Sequence, residues 1–230
     1  FMIDKYSKNV TRIQSSSDDK DKMIDATFLN QYRKIIARKH GILNFKPIIM
    51  FKSSKVLTSQ KKAEQFKEII EGLTPNFVEE LIKHKLLILP KHSILYKVYS
   101  HIKELNLDNF ISEIQQDFCE MNILNANETH ILNLDNAVLL NTLEDINNPI
   151  RVIFVVAKLT EGWDVLNLYD IVRIGEGAST TRTATDSEAQ LIGRGARYYP
   201  FKYNGIKSYT RRFDNQPTDL GILETLHYHT

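Results

Sequence analysis

Residues 151–164 read Arg151-Val152-Ile153-Phe154-Val155-Val156-Ala157-Lys158-Leu159-Thr160-Glu161-Gly162-Trp163-Asp164. From Val152 to Val156 the run is wholly apolar and rich in β-branched residues. Such a run suits a strand covered on both faces, as in a parallel sheet. The chain then turns polar and carries a glycine. Ligands of open α/β sheets bind at the carboxyl ends of the strands, and 158–168 stands at such an end. Two further runs repeat the strand signal: Pro47-Ile48-Ile49-Met50-Phe51 and Asp170-Ile171-Val172-Arg173-Ile174. Helical spacing appears over 24–39, where Ile24, Phe28, Leu29, Tyr32, Ile35 and Ile36 share a face. It appears again over 59–72, with Ala63, Phe66, Ile69 and Ile70 inward. Strands alternating with helices predict an α/β fold built on a parallel sheet flanked by helices.

Between these units, 74–130 reads as a mostly helical insertion, with helices over 75–84, 93–105 and 109–122. A short strand is expected at 131–134 and helices over 137–144 and 219–229, with another helix through Gln190 and Leu191. Residues 1–23 are polar, with the run Ser15-Ser16-Ser17-Asp18-Asp19-Lys20, and read as a linker or domain-edge segment. The main domain is therefore expected over 24–230.

Composition narrows the function classes. At 230 residues, 42% hydrophobic and 25% charged, the chain can bury a full core. The net charge of +2 makes a whole-molecule electrostatic attraction to nucleic acid weak, so any such contact must rest on local patches. The lone Cys119 excludes a disulfide within the chain and suits a reducing, cytoplasmic setting. No apolar run approaches the roughly 20 residues of a membrane span. The opening Phe1-Met2-Ile3-Asp4 reads as a chain already in progress, so a piece of a larger protein is expected.

Two segments carry chemistry. In 159–164, Gly162 lets the backbone approach a ligand closely, and Asp164 can accept from a ribose hydroxyl or hold an arginine. Thr160 is a short donor suited to phosphate. A plain strand-to-helix turn with Asp164 as cap remains open. The second segment is Gln190-Leu191-Ile192-Gly193-Arg194-Gly195-Ala196-Arg197. Arg194 and Arg197 lie three apart and share a helix face, and their planar forks match phosphate oxygens. Gly193 and Gly195 each cost a helix about 1 kcal/mol, which points to a reason for them, such as a bare surface that another surface approaches. An ordinary basic surface turn is the alternative. Lys52, Ser53 and Ser54 follow the 47–51 run and could meet a nucleic-acid backbone or stand as a solvated loop. His227 and His229 lack a nearby ligand partner at metal spacing, so a structural role is expected and no metal site is read. Tyr198 and Tyr199 are expected to pack.

The order and setting of the two segments resemble motifs V and VI of superfamily 2 helicases, with 48–54 in the place of motif IV. More narrowly, Glu161-Gly162-Trp163-Asp164, the Ile192-Gly193-Arg194-Gly195 core and 221–229 resemble the Res subunit of type III restriction enzymes and related DEAD/DEAH-like bacterial helicases. The resemblance spans roughly 150–230, extends to 46–72, and leaves 74–130 unaligned. It implies the second RecA-like domain of an ATP-dependent DNA helicase or translocase. ATP and Mg2+ would then be held mainly by a first RecA-like domain, with DNA and a modification (methyltransferase) subunit as partners. The resemblance assigns Gly162 and Asp164 to nucleotide contact, and Gln190, Arg194 and Arg197 to the phosphates, with Arg197 the better arginine finger. Gly193 belongs to the same nucleotide-side core, and Thr160 faces nucleic acid. The chain has no Gly-x-x-x-x-Gly-Lys-Ser/Thr loop, and Gly205-Ile206-Lys207-Ser208 is only a faint echo of one. No apolar strand runs into an Asp-Glu pair, and the PD-(D/E)xK nuclease pattern is also absent, so the chain alone is expected neither to hydrolyse ATP nor to cut DNA. A non-catalytic nucleic-acid-binding or regulatory RecA-like module is the second function class.

Overall fold

The computed structural model describes residues 4–14, 18–126, 134–156, 165–175, 182–214 and 218–230, apart from the side chains of 134–136, 182–185 and 187. Its centre is a six-stranded sheet with every pairing parallel. The strands are β1 (Asn9–Ile13), β2 (Ile48–Ser53), β3 (Ile123–Asn125), β4 (Val152–Val156), β5 (Leu168–Arg173) and β8 (Thr225–His229), in the order β1-β8-β5-β2-β4-β3. A small antiparallel hairpin, β6 (Lys202–Tyr203) and β7 (Ile206–Lys207), stands apart. The fold is α/β, as the alternating pattern predicts, and consistent with the RecA-like fold that the family resemblance implies.

The apolar runs exist because both sheet faces are covered. Successive side chains of a strand point to opposite faces. On one face Ile49, Phe51, Val152, Phe154, Tyr169 and Val172 meet α1 (Asp19–Lys39) and α2 (Val56–Glu71). On the other, Ile48, Met50, Ile153, Val155, Leu168, Ile171 and Leu226 meet α6 (Leu134–Asn141) and α7 (Arg182–Gly195). The β2–β5 register shifts between Ile48 and Ile49. That irregularity places Tyr169 and Asp170, adjacent in sequence, on the same α1 side.

The helix α1 is longer than its apolar spacing indicates. Asp18 caps it by accepting from the Lys20 amide at 3.0 Å, acids Asp19 and Asp21 open it, and Arg38 and Lys39 close it. It is buried on two sides because a second helical layer lies outside it: α3 (Pro75–Ile88), α4 (Ile94–Ile102) and α5 (Leu107–Asp117). Thr74, Ser93 and Asn106 cap these three helices. Asp25 of α1 takes a bond from Lys85 at 2.9 Å and from Tyr99 at 2.6 Å, which pins the insertion to α1.

Three local expectations change. Within the stretch read as a linker, Asn9–Ile13 is a strand paired along its whole length with β8. The expected terminal helix over 219–229 is a 3-10 turn, Asp219–Glu224, followed by strand β8 between β1 and β5. Both reversals have one cause. The slot beside β5 offers backbone partners to β8, β8 then offers them to β1, and pairing outweighs weak local preference. Finally, 131–133 lie outside the described residues and Leu134 opens α6, while the strand beside β4 is Ile123–Asn125.

Candidate functional site

The helix α7 carries Gln190, Gly193 and Arg194, and Arg197 follows directly after it. It runs antiparallel to the strands. Near the carboxyl end of the sheet, Glu188 meets Lys52 at 3.4 Å and Arg173 at 3.3 Å. Near the amino end, a Cβ on Gly195 would stand 3.1 Å from Leu168, 3.3 Å from Ile171 and 3.4 Å from Leu226. Gly195 therefore serves close helix–sheet packing rather than a bare outer surface, which corrects half of the glycine reading. Gly193 is the bare one, since a Cβ there would meet nothing within 4 Å.

The exposed face of α7 holds Gln190 and Gly193, with Arg194 half-buried and Arg197 exposed. The turn is continued past the helix by Ala196 N–H to Ile192 O at 2.8 Å and Arg197 N–H to Arg194 O at 3.2 Å. The chain is then taken over by the N-terminal segment. Ser7 and Arg197 form an antiparallel bridge, the Lys8 amide donates to Ala196 O, and the Tyr198 amide donates to Tyr6 O. Arg211 joins this segment from the other side, bonded to the Ser7 carbonyl. The arginines thus sit at the end of a helix whose last turn is fixed on the sheet side and along its exit.

Lys52, Ser53 and Ser54 stand at the opposite, carboxyl end of the sheet. The strand from Leu168 to Arg173 separates the two places by about 17 Å. Lys52 and Ser53 are buried, with the Lys52 ammonium turned to Glu188, and Ser54 is exposed. The sheet does not bring these residues to the arginines. Thr160, Gly162 and Asp164 lie outside the described residues. Tyr198 is buried and Tyr199 half-buried, both in the aromatic group around Phe45 and Phe201, so these tyrosines pack as expected.

Beneath α1 lies a buried charge network that sequence reading missed. Arg33 pairs with Asp170 at 2.7 Å, both side chains fully buried. Asn30 also donates to Asp170, at 2.9 Å, and His229 Nε2 stands 3.3 Å from it. Burial works against the Asp170 carboxylate, but the Arg33 guanidinium and the histidines overcome that and hold its pKa far below the usual carboxylate range. His227 Nδ1 faces Arg33 at 2.9 Å. Burial and that guanidinium push the His227 pKa down to about 3, so its ring is a neutral acceptor. Both histidines are structural, on a strand rather than on the helix expected. Only the period-two spacing of 227 and 229 hinted at a shared face.

A cavity of about 550 Å³ lies elsewhere, between the end of β1 and the start of α4, lined by Arg12, His92, Ser93, Lys97 and Asp219 among others. It does not include the arginines of 190–197. Arg197 is exposed and Arg194 half-buried, and neither lines this pocket.

The comparisons bear on the same regions. A family model described as "HI_1054_N: N-terminal region" matches 184–230, which takes in α7 and β8. An "Uncharacterized protein" of Haemophilus influenzae is 52% identical over 48 residues, 20% of this chain and 10% of that protein. No solved structure matches. A Haemophilus influenzae protein described as "Probable type III restriction-modification enzyme HindVIP Res subunit" is 30% identical over 192 residues, 77% of this chain. The chain spans 37% of that relative's length. Over most of its length, therefore, this α/β chain is similar to a type III restriction-modification Res subunit.

Proposed function

We propose that this chain is the second RecA-like half of an ATP-dependent DNA helicase or translocase of the Res-subunit kind. The observation that carries the reading is α7. It presents Gln190, Arg194 and Arg197 beside the bare Gly193, on a helix end locked to the sheet, in a chain similar to a Res subunit. A guanidinium fits phosphate oxygens through parallel N–H donors, and a surface without side-chain bulk at Gly193 lets a second domain approach.

In this reading a first RecA-like domain outside this chain holds ATP and Mg2+. When the two domains close, Arg197 meets the transferring phosphoryl group and stabilises its developing charge. Arg194 and Gln190 hold the remaining phosphate oxygens, and Gly162 and Asp164 are assigned to nucleotide contact. DNA lies along the carboxyl end of the sheet, with Ser54 the exposed member of the Lys52, Ser53 and Ser54 set, and Thr160 is assigned to the same DNA contact. Glu188 is bonded to Lys52 and sits on the helix that carries Arg194 and leads into Arg197, so it offers a mechanical link between the DNA end and the ATP end. The second RecA-like domain runs through 24–230 with 74–130 as a mostly helical insertion, except that β1 and the first turn of α1 also belong to it and β3, within 74–130, is a strand of its sheet. A modification subunit is the proposed protein partner, and the chain without the first domain is inactive.

The test is ATP hydrolysis by the full-length protein carrying Arg197→Ala. An arginine finger contributes about 10³–10⁵ in rate, so kcat should fall by at least about 10³ while the protein remains folded. An unchanged rate of DNA-stimulated hydrolysis would remove Arg197 from the chemistry and, with it, the assignment of 190–197.

A further inference from the structure

A lysine from the segment read as a linker is buried at the base of the arginine helix. Lys8 is 1% exposed, and its ammonium donates to three carbonyls: Leu166 at 2.6 Å, Gly195 at 2.7 Å and Arg197 at 2.7 Å. An ammonium has three donors, so this geometry uses all of them. The ring of Tyr169 lies below, 4.8 Å from the ammonium, and is itself fixed by its hydroxyl bond to Leu223 O at 2.8 Å. The Lys8 amide adds a bond to Ala196 O at 2.5 Å. A helix leaves its last carbonyls without intrahelical partners and carries partial negative charge there. Lys8 supplies both a donor and a positive charge at that point, from 187 residues away in sequence.

The three carbonyls belong to two different segments. Gly195 and Arg197 end the helix that carries the candidate phosphate arginines. Leu166 lies two residues after Asp164, at the exit of the 159–164 segment. We propose that Lys8 is a positioning residue that clamps these two segments to one another and fixes the backbone from which Arg197 reaches the nucleotide. This rests on the ATPase reading above for its consequence, while the clamp itself stands on the geometry. Charge-assisted bonds to the Arg197 carbonyl set the direction in which its side chain leaves the helix end. A displacement of about 1 Å at a reacting group can cost about 10²-fold in rate, so the arginine's effect depends on this fixation.

Both tests use the full-length protein with Lys8→Met, which keeps the aliphatic stem and removes every donor. In hydrogen exchange, the amides of 196–198 should exchange at least about tenfold faster while those of β2, β4 and β5 keep their protection. In ATP hydrolysis, kcat should fall about 10- to 100-fold with KM moved by less than about threefold. In an Arg197→Ala background, the same substitution should lower kcat by less than about twofold, since Lys8 acts through that arginine. Unchanged exchange at 196–198 overturns the clamp. Faster exchange with unchanged kcat overturns the positioning role, as does a full Lys8→Met effect in the Arg197→Ala background. Should Lys8→Met fail to fold, Lys8→Gln retains two amide donors but removes the charge and the third donor, and the same comparisons apply with smaller changes. A wild-type protein that hydrolyses no ATP would sink the functional reading, and the exchange comparison would still decide the clamp.

Discussion

On the α1 face of the sheet, Arg33, Asp170, His227 and His229 are buried and point at one another. On the α7 face the sheet offers mainly aliphatic side chains, and the arginines stand beyond it at the helix end, Arg194 half-buried and Arg197 exposed. The same residue type thus does two kinds of work. Arg33 is consumed by the fold, bonded through Nε to Ile222 O at 3.2 Å and through its terminal nitrogens to Asp170 and His227. Taking such a charge out of water is expensive unless partners surround it. Arg197 remains at the surface while its backbone is held, which is the condition for presenting a guanidinium to a ligand. Burial with the charges paired marks structure, and exposure on a fixed backbone marks a candidate contact.

Breaking the α1 side should have the largest effect on stability. Asp170→Ala strands the buried Arg33 guanidinium, and removing one partner of a buried pair costs about 3–5 kcal/mol. The urea midpoint of this variant should drop accordingly, whereas Arg197→Ala should move the midpoint by less than about 0.5 kcal/mol in equivalent stability. Equal losses from both substitutions would erase the distinction between the two faces.

A smaller effect comes from acid. The folded-state pKa of His227 is pushed down to about 3 from an ordinary 6.5. Between those values the unfolded chain binds a proton that the folded chain refuses, so stability falls as pH drops below about 6.5 and continues to fall towards 3. The slope from one such group is at most about 1.4 kcal/mol per pH unit, or about 2 kcal/mol between pH 6.5 and 5. Asp170, whose folded pKa is depressed, adds loss only below the ordinary carboxylate range. His227→Gln should flatten the pH 5–6.5 portion of the stability curve. A curve that keeps its full slope there would place the titrating group elsewhere.

The smallest effects, and the sharpest because their signs differ, belong to the two glycines of α7. Gly193→Ala adds a methyl in open space and removes a helix-interior glycine, so stability should rise by up to about 1 kcal/mol. Gly195→Ala makes the same propensity gain, but its methyl presses on Leu168, Ile171 and Leu226, for a net loss of up to about 1 kcal/mol. Thermal melts of the two variants side by side would expose the difference, and a common sign would mean that Gly195 does not set the helix–sheet distance.

Much of the architecture was readable before any coordinates. The runs at 48–51 and 152–156 announce strands covered on both faces because nothing else hides so many adjacent apolar side chains. The β1 and β8 strands were missed because Asn9–Ile13 and Thr225–His229 mix polar and apolar residues, and their strand state comes from neighbours rather than from local pattern. At the candidate site, the spacing of Gln190, Gly193 and Arg194 on one helix was legible, since helical spacing is a local property, but Arg197 lies past the helix end, bridged to Ser7, so the shared helix face expected for the two arginines is not formed. The contacts of Lys8 and Lys52 were not. Lys8 looks like any polar residue near a chain start, and Lys52 looks like a solvated loop lysine until Glu188 is seen beside it.

The sequence by itself determined the alternation of strand and helix and the placing of Gln190, Gly193 and Arg194 on one helix. Both follow from periodicities of a few residues, which a linear reading can count. Only the tertiary structure decided which charges are spent inside, which glycine is bare, and which lysine holds the arginine helix in place. Those depend on groups that are 137 residues apart for Arg33 and Asp170 and 189 apart for Lys8 and Arg197. No local pattern encodes such pairs, because the free energy that selects them arises only when the sheet has brought their segments together.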